Sequence, residues 1–527
     1  MRVFNRNRFL RRLAAITSIS LVAGCSALSS GPSDEEPILV GTTSAPSTLD
    51  PAASWDNSWE LFRNVYQTLL NYPDGAAEPG PDAAESCDFT DEKNLAYRCV
   101  LRRHLTFSDG DALDARAVKH SFDRIKRIDV PGGPAGLLGS LDRVETRGTR
   151  EVVFHLKEPD ATFPFVLATP AMSIVDPAEY PADRLREDGE VTGSGPYTLA
   201  SYEEGDEARL TGNDTYRGYA QRKNEAVTIR YFQDSSSMVE ALRSGKIDVT
   251  YRGLGASDIV SLQDRASREG LQLVENPGIE ISYLVFNPKD PWARKTVVRK
   301  AVAQVVDRAA IAHTVYKDTV QPLYSMIPAG LTGHTTGFFD DYGDPSVTKA
   351  HEMLTGAGIT EPVPLTLWYT TDRYGSETAP EFRELKRQLD ESGLFRVTLK
   401  SRPWKQYVGG YQKGEYPVFG RGWFPDFPDP DNYIAPFVGR QNALGTPYEA
   451  PEITDVLLPR SRRASNRADV MKEFEDAQRI LVDEARLLPL WQGKQYVAAS
   501  EDISGGERAL DPSTIMLLWE LSRKTSW

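Results

Sequence analysis

Apolar and polar residues alternate along many short segments of this chain, and this alternation predicts β-strands. Turn-forming residues bound most of these segments. The predicted strands are residues 38–41, 95–101, 151–157, 197–202, 207–211, 227–232, 247–251, 280–287, 365–369, 395–400 and 418–422.

Other segments place their apolar residues three or four positions apart, which predicts amphipathic helices. These are residues 59–70, 115–126, 235–244, 295–306, 376–392 and 405–413, and Asp307 is predicted to cap a further helix. Strands and helices alternate between residues 365 and 422. The chain is therefore predicted to have an α/β fold that contains a β-α-β-α-β unit.

The carboxyl ends of parallel strands are where open α/β sheets bind ligands. In this unit, those ends lead into residues 370–375, 401–404 and 423–431. The three loops carry aromatic rings and charges of both signs, namely Arg373, Tyr374, Arg402, Trp404, Trp423, Asp426, Asp429 and Asp431. The order of elements alone predicts a binding site here.

The first residues have the pattern of an export signal. Residues 1–24 contain five arginines and no acidic residue, and the apolar run at 13–23 is too short to span a bilayer. The run leads into Cys25 through small residues, which resembles the lipobox of bacterial lipoproteins. We expect residues 1–24 to be removed, Cys25 to be lipidated and residues 25–37 to form a flexible tether. The mature protein is then expected at the extracellular face of the cell membrane, lipid-anchored or periplasmic.

Composition and charge exclude several classes of protein. The chain has 527 residues, of which 40% are hydrophobic, 26% charged and 10% aromatic. Such values are ordinary for a folded protein of about three domains. The formal net charge is −14. Nucleic acids and anionic membrane surfaces require a positive face, so neither is an expected partner, and membrane contact is expected through the lipid anchor only.

Two further cysteines, Cys87 and Cys99, flank a turn-like segment at residues 90–94. In an exported protein, this pair predicts a disulfide across a hairpin. A zinc site needs four clustered ligands, and the six histidines are scattered, so no metal is expected. The sequence contains no hydrolase elbow, Walker loop, zinc-protease motif or dinucleotide fingerprint, so neither an enzyme nor a cofactor is expected.

Residues 422–433 (GWFPDFPDPDNY) combine aromatic, proline and acidic residues. One interpretation is a rigid surface loop in which the aspartates cap turns. A calcium loop is disfavoured because Asp426, Asp429 and Asp431 are unevenly spaced and interrupted by prolines. Glycosidase carboxylates are not recognisable from this spacing. The other interpretation is a ligand site, in which Trp55, Trp404 and Trp423 are candidate ring platforms.

Several segments, taken in order, resemble the extracellular solute-binding proteins of ABC importers, in the family that takes oligopeptides, dipeptides and, in some branches, nickel chelates. Each segment is short, but the ordered set together with the lipobox is specific. The segments are STLDP at 47–51, LTFSDG at 105–110, GSGPY at 193–197, LVFN at 284–287, VRKAVAQVVDR at 298–308, MIP at 326–328 and WFPDFPDPDN at 423–432.

This resemblance implies a two-lobed periplasmic-binding-protein-like clamp with an additional α+β subdomain. It places lobe I at residues 38–75, 192–279 and 487–527, the inserted subdomain at 76–191 and lobe II at 280–486. It also implies a lipid-anchored receptor that captures peptides between the lobes, delivers them to the permease subunits of an ABC importer, acts as a monomer and catalyses no reaction.

The resemblance assigns the peptide ammonium to Asp426, because the aspartate of the W-x-x-D loop takes that group in peptide-binding members. A carboxylate enclosed by a closed clamp is costly without a cation, so an ammonium ligand suits this position. The other candidate ligand-binding residues are Trp423, Phe424, Trp404, Arg402 and Arg373, together with Ser44, Pro46 and Ser47. The last three lie in residues 44–51, which we call the first loop because STLDP resembles the first binding loop of the family.

Two questions stay open from the sequence. The peptide carboxylate has three candidate partners, Arg373, Arg402 and Arg421. The solute itself also has alternatives, because a receptor of the same build could take a nickel chelate, an opine or an oligosaccharide. A surface hydrolase that uses loop carboxylates is a further alternative.

Overall fold

Most of the predicted strands pair into one large mixed β-sheet. The computed structural model describes residues 36–53, 57–73 and 76–524. In these parts of the chain the strands are β1 (Ile38–Thr42), β2 (Leu70–Asn71), β3 (Gly80–Pro81), β4 (Ala84–Phe89), β5 (Ala96–Leu101), β6 (Leu141–Arg147), β7 (Glu151–Leu156), β8 (Tyr197–Glu203), β9 (Glu207–Gly212), β10 (Ala226–Tyr231), β11 (Val249–Tyr251), β12 (Leu271–Phe286), β13 (Val320–Pro322), β14 (Val363–Thr370), β15 (Phe395–Arg402), β16 (Val418–Trp423), β17 (Leu487–Ser500), β18 (Ile503–Ser504) and β19 (Ser522–Arg523).

The α-helices of the described residues include all those predicted from apolar spacing and several more. They are α1 (Ser58–Val65), α2 (Ala115–Ile128), α3 (Phe163–Ala168), α4 (Ser235–Arg243), α5 (Ala256–Arg265), α6 (Thr296–Val305), α7 (Arg308–Thr314), α8 (Gly337–Tyr342), α9 (Val347–Gly356), α10 (Thr378–Glu391), α11 (Trp404–Gln412), α12 (Leu458–Ser461) and α13 (Met471–Glu484). The predicted cap of α7 is confirmed, because the Asp307 side chain accepts a hydrogen bond from the Ala310 N–H at 2.8 Å.

Two long antiparallel strands, β12 and β17, run through the middle of the large sheet. The strand order is β15-β14-β16-β12-β17-β11-β1-β10-β9-β8, and β13 pairs with β17 outside this path. β14 is parallel to both β15 and β16, and β1 is parallel to both β10 and β11. The predicted β-α-β unit at residues 227–251 is therefore confirmed with β1 between its two strands. The β12–β17 ladder is the connection between the two ends of the sheet.

A separate four-stranded antiparallel sheet lies in the first third of the chain. Its order is β4-β5-β7-β6, and α2 packs against it. Cys87 and Cys99 lie directly opposite each other on β4 and β5 and are joined by a disulfide. This sheet shares one hydrophobic core with the β1 end of the large sheet, so the two are packed as one body.

The cores show where β17 passes from one end of the molecule to the other. Leu488 and Trp491 belong to a core built from residues of the β14 end. Val497 and Ala499 belong instead to the core of the β1 end. A register irregularity in β12 between Pro277 and Ile281 lies beside this change. The chain therefore passes from one core to the other in the middle of the two-stranded β12–β17 ribbon.

Two predicted boundaries were wrong, in each case because a tertiary partner overrides local propensity. The helix predicted at 59–70 ends at Val65, since Tyr66 is extended and the Val65 carbonyl accepts the Gly195 N–H at 3.0 Å. The loop predicted at 401–404 is absent: β15 continues to Arg402 through its pairing with Thr370, and α11 begins at Trp404. The fixed backbone angle of Pro403 suits a helix start.

The export signal, Cys25 and Trp55 lie outside the described residues. Within the residues that are described, no helix combines the length and the apolar character needed to cross a bilayer.

Candidate functional site

The carboxyl ends of three parallel strands share one edge of the large sheet. β15, β14 and β16 are neighbours and run in the same direction. The segments that leave this edge are residues 371–377, the start of α11 and residues 424–429. The structure thus brings together the segments in which the order of strands and helices predicted a binding site.

Three aromatic rings at this edge form a contiguous surface, which we call the aromatic patch. It consists of Tyr374, Trp404 and Phe424. The Tyr374 ring centroid lies 5.7 Å from that of Trp404 and 6.3 Å from that of Phe424. Phe424 is 41% exposed, which is unusual for a large apolar side chain. Exposed rings next to half-buried ones offer a ligand an apolar face.

Two arginines flank the aromatic patch. The Arg373 guanidinium carbon lies 5.5 Å from the Trp404 ring centroid and 5.9 Å from that of Phe424. The corresponding atom of Arg421 lies 5.7 Å from the Trp404 centroid and 4.6 Å from that of Tyr411. Two positive charges beside one indole repel each other and attract an anion.

Arg421 is the more buried of the two arginines. It is 8% exposed, and its Nη1 donates a hydrogen bond to the Ala443 carbonyl at 2.8 Å. Its Nε has no hydrogen-bond partner among the residues described. Within that part of the chain, neither Arg421 nor Arg373 forms an ion pair with a carboxylate. A buried guanidinium in this state is a strong candidate for contact with an anionic ligand group.

Arg402, the third predicted cation, has different neighbours. Its guanidinium carbon lies 5.2 Å from the Trp368 ring centroid, and its Nη1 lies 3.9 Å from a Glu415 carboxylate oxygen. The residue is exposed on the edge strand β15. These contacts place Arg402 beside Trp368 and Glu415, whereas Arg373 and Arg421 share Trp404.

Asp426 is fixed by the amide of Asn432. It is 5% exposed, its N–H donates to Asn432 Oδ1 at 2.9 Å, and its Oδ2 accepts from Asn432 Nδ2 at 2.9 Å. The same Asn432 Oδ1 accepts the Trp423 Nε1–H at 3.2 Å. One amide therefore holds the backbone of Asp426, its carboxylate and the Trp423 ring in a fixed geometry.

The other two aspartates of this loop serve the fold. Asp429 and Arg467 form a buried two-point ion pair with N···O distances of 2.6 and 2.9 Å. Asp431 pairs in the same way with Arg462 at 2.9 and 3.0 Å. Burial raises the pKa of the Asp429 carboxyl, and the Arg467 charge opposes that effect. The turn-capping interpretation is correct for Asp429, whose side chain accepts the Asp431 N–H at 2.8 Å.

Negative charge collects on the inner side of the Asp426 loop. Tyr433 donates a hydrogen bond to the Ile279 carbonyl at 2.6 Å. Burial raises the pKa of Tyr433, and the nearby charges of Asp426 and Glu280 raise it further. Burial likewise raises the pKa of Glu280, although Arg252 opposes this. The site thus has an acidic end near Asp426 and a basic end at the aromatic patch.

The first loop is pinned at several points. The N–H groups of Ser47 and Thr48 donate to Ser58 Oγ at 3.0 and 3.3 Å. The Pro46 carbonyl accepts the Tyr202 hydroxyl at 3.3 Å, and the buried Ser44 donates its N–H to Thr42 Oγ1. The contacts described for Ser44, Pro46 and Ser47 run to the β1 end of the molecule, while those described for Asp426 run to Asn432.

The two ends of the molecule also touch at points outside the β12–β17 ladder. The Ala256 N–H donates to Glu377 at 3.1 Å, and Lys317 Nζ lies 3.0 Å from Ser257 Oγ. On the other side, the Phe165 ring centroid lies 6.1 Å from that of Phe427. These contacts join residues of the β1 end and the inserted segment to residues of the β14 end.

A buried glutamate accepts hydrogen bonds from both β12 and β17. Glu381 on α10 accepts hydrogen bonds from Tyr316 Oη at 2.7 Å, Trp491 Nε1 on β17 at 3.3 Å and Ser282 Oγ on β12 at 3.4 Å. It is 3% exposed, and burial raises its pKa from an ordinary 4.5 to about 7. The folded protein therefore favours the protonated form of this carboxyl.

We expect Glu381 to make stability depend on pH. Its contribution is complete below pH 4.5 and is lost as the pH rises toward 7, at a cost of about 3 kcal/mol for a shift of this size. Urea unfolding between pH 4.5 and 8 should show this loss in the wild type and a smaller one in Glu381→Gln. Glu391→Gln, an exposed position on the same helix, should behave as the wild type. Identical pH profiles for Glu381→Gln and the wild type would contradict the assignment.

Sequence reasoning missed the supporting residues of the site. Asn432 was part of a quoted motif, but its amide role depends on how the loop folds back. Tyr283 was also missed: it lies directly opposite the predicted Arg421 across β12 and β16, and no local pattern signals that register. Tyr433 and Glu280 were missed as well, because the influence of the Glu280 charge on Tyr433 joins segments that are distant in sequence.

Comparisons with known proteins agree over most of the chain. Residues 78–445 match the model of the bacterial extracellular solute-binding proteins, family 5, middle region. The probable D,D-dipeptide-binding periplasmic protein DdpA of Escherichia coli (strain K12) is 26% identical over 490 residues, covering 89% of this chain and 90% of that protein. The dipeptide-binding protein of Pseudomonas aeruginosa is 25% identical over 472 residues, covering 84% and 86%.

A solved structure shows the same fold. The ABC transporter-associated periplasmic binding protein DppA from Helicobacter pylori, in complex with the peptide STSA, superposes with a TM-score of 0.78 at 21% identity. The match covers 93% of this chain and 98% of that chain. It confirms the predicted two-lobed α/β architecture. Since the family model spans well over half of the sequence, the chain belongs to the bacterial extracellular solute-binding proteins, family 5.

Proposed function

We propose that this protein is the solute receptor of an ABC importer and that its solutes are short peptides. The observation that carries the proposal is the separation of opposite charges between the end of β16 and the loop that follows it. Asp426 lies at the acidic end and Arg421 at the basic end, five residues earlier in the chain. Five residues span at most about 17 Å, so the two charges suit the two ends of a zwitterion a few residues long.

The names of the relatives support a peptide ligand. Two of them are described as binding D,D-dipeptides and dipeptides, and the solved structure contains a peptide. In our proposal, the Asp426 carboxylate takes the peptide ammonium, and Arg373 with Arg421 takes the carboxylate. The aromatic patch and Trp423 face the peptide side chains.

The first loop completes the proposed site from the opposite side. Backbone groups around Ser44, Pro46 and Ser47 are proposed to bind the peptide main chain when the clamp closes. The hydrogen bonds to Ser58 and Tyr202 support this role, because they hold the loop in a fixed shape. A preformed loop loses less conformational entropy on binding.

We propose that closure occurs about the β12–β17 ribbon. Lobe I then comprises residues 38–75, 192–279 and the end of the chain, residues 76–191 form the inserted subdomain, and lobe II follows from residue 280. The contacts of Ala256 with Glu377 and of Phe165 with Phe427 form when the lobes close. The protein binds and releases its ligand unchanged, as a monomer.

Delivery to the importer is also part of the proposal. Lipidation at Cys25 would keep the receptor at the outer face of the cell membrane, where the permease subunits receive the peptide. Mass spectrometry of the amino-terminal fragment from cell membranes tests the anchor directly: a diacylated Cys25 supports it, and a free amino terminus at another residue contradicts it.

The carboxylate assignment predicts a distinct effect of Arg373. In titration calorimetry with ligand-free protein, replacing the carboxylate of a bound tripeptide with an amide should weaken binding at least tenfold, because a charge-assisted hydrogen bond is lost. Arg373→Gln should weaken binding of the free acid by a similar factor and leave the amide unaffected. Arg396→Gln, on β15, is the control and should change neither value.

The same experiment separates the alternatives. Equal loss of affinity for the acid and the amide in Arg373→Gln would contradict the assigned role of Arg373. No measurable binding of any di- to pentapeptide, while a non-peptide solute co-purifies with the protein, would contradict the peptide proposal.

A further inference from the structure

Three carboxylates lie close together in the inserted subdomain, and none of them belongs to the proposed peptide site. Asp109 and Asp111 lie in the tight turn after Phe107, and Asp176 comes from a separate segment after α3. One oxygen of each lies within 4.8 Å of the others. Asp109 and Asp111 are exposed, whereas Asp176 is only 2% exposed.

The Asp176 side chain supplies a second, separate observation. Its Oδ1 accepts the Ala178 N–H at 2.7 Å. Its Oδ2 is buried and has no hydrogen-bond partner in the described structure. Buried carboxylate oxygens normally have a donor, because leaving one without any costs the desolvation of a charged group. A bound cation would supply the missing partner of this buried carboxylate oxygen.

No basic side chain of the described residues balances these three charges. Among the described residues, no lysine, arginine or histidine forms an ion pair with Asp109, Asp111 or Asp176. The neighbouring Asp188, by contrast, is paired with Arg186 at 2.8 Å. Burial raises the pKa of Asp176, and the charges of Asp109 and Asp111 raise it further. Three like charges at this distance repel one another strongly unless a cation lies between them.

We infer that Asp109, Asp111 and Asp176 form a binding site for a divalent cation, and that the ion is Ca²⁺. The group offers oxygen ligands only, which disfavours zinc. Ca²⁺ accepts irregular sets of six to eight oxygens, including water, and the exposed side of the turn admits water. This inference departs from the expectation of no metal, because Asp176 is distant in sequence from the turn.

A cation here would brace the subdomain. The turn is already tied to the GSGPY segment at residues 193–197, since the Ser108 N–H donates to the Gly193 carbonyl at 2.8 Å. The Asp176 carbonyl accepts the Tyr180 N–H, and the Tyr180 hydroxyl lies 2.7 Å from that of Tyr66. Bound Ca²⁺ would lock these two segments together. The site does not depend on the peptide proposal, because no residue is shared with it.

The test uses the purified full chain after removal of metals. Calorimetric titration with CaCl₂ at pH 7.5 should show one bound ion with a Kd on the order of 0.1–1 mM, as in other extracellular calcium modules. Addition of 10 mM Ca²⁺ should raise the Tm by about 1–3 °C over EDTA, and the rise should be smaller at pH 5. Mg²⁺ should be weaker, because it requires a regular octahedron.

Variants make the result specific. Asp176→Asn should weaken Ca²⁺ binding at least tenfold, and Asp142→Asn, an exposed acid of the same subdomain, should not change it. If Asp176→Asn does not fold, Asp109→Asn on the exposed turn gives the same comparison. Unchanged Ca²⁺ binding in both site variants would overturn the inference. So would an absence of Ca²⁺ binding combined with a higher Tm for Asp176→Asn, which would indicate a cluster that holds a proton.

Discussion

Asp426→Asn should lower the affinity for a peptide with a free amino terminus by about 30-fold or more. This expectation follows from the proposed contact, since loss of one partner of a buried, hydrogen-bonded charge pair costs about 2–5 kcal/mol. Asparagine has the same shape and retains an oxygen for the Asn432 amide, so the loop should keep its geometry. Titration calorimetry with a tripeptide on ligand-free protein measures the change.

A modified ligand provides the control, because a loss of protein stability would not distinguish free from acetylated peptides. N-acetylation of the tripeptide should weaken binding to the wild type by a similar factor, and Asp426→Asn should weaken the acetylated peptide little further. Asp455→Asn, an exposed acid in the same lobe, should bind as the wild type. If Asp426→Asn reduced the affinity for free and acetylated peptides equally, the ammonium would have to bind elsewhere.

The local part of this fold could be predicted because its signals are local. The β-α-β-α-β unit from β14 to β16 follows alternation and helical spacing within each segment, and its strands are adjacent in sequence. The site edge follows from the same order. The Asp307 cap depends on a side chain that reaches only three residues along the chain, so it too was visible.

The β12–β17 ladder could not be predicted because its contacts are distant in sequence. Leu271 pairs with Ser500 and Val285 with Leu487, so each rung of the β12–β17 ladder joins residues from far apart in the chain. Alternation along one strand does not reveal its partner. The role of Glu381 was missed for the same reason, because two of its hydrogen-bond donors lie on β12 and β17.

The aspartates of the W-x-x-D loop illustrate the limit for the site. Asp426, Asp429 and Asp431 have the same chemistry and nearly the same neighbours in sequence. What separates them is the partner that the fold supplies: Arg467 for Asp429, Arg462 for Asp431 and the Asn432 amide for Asp426. The sequence shows that the loop carries three acidic side chains. Only the tertiary structure shows that two of them form ion pairs that stabilise the fold.

Asp50→Asn should cause the largest loss of stability among the substitutions considered, about 3–5 kcal/mol. Asp50 ends the first loop and is buried with Arg124, to which it is joined by two N···O contacts of 2.7 and 2.5 Å. Its oxygens also accept the N–H groups of Ala52 and Arg186. An asparagine would leave the Arg124 charge buried and turn an amide donor toward other donors. Urea unfolding at pH 7 measures the change.

A surface pair of the same chemistry sets the scale for this loss. Glu85 and Arg150 lie 2.6 Å apart but are largely exposed, so Glu85→Gln should cost at most about 1 kcal/mol. The double variant Asp50→Leu/Arg124→Met should recover much of the stability, because it removes the orphaned charge together with its partner. We expect this double variant to bind peptide more weakly than the wild type, since Asp50 also fixes the loop that carries Ser47. A double variant as unstable as Asp50→Asn would show that the backbone hydrogen bonds of Asp50, and not its charge, hold the first loop in place.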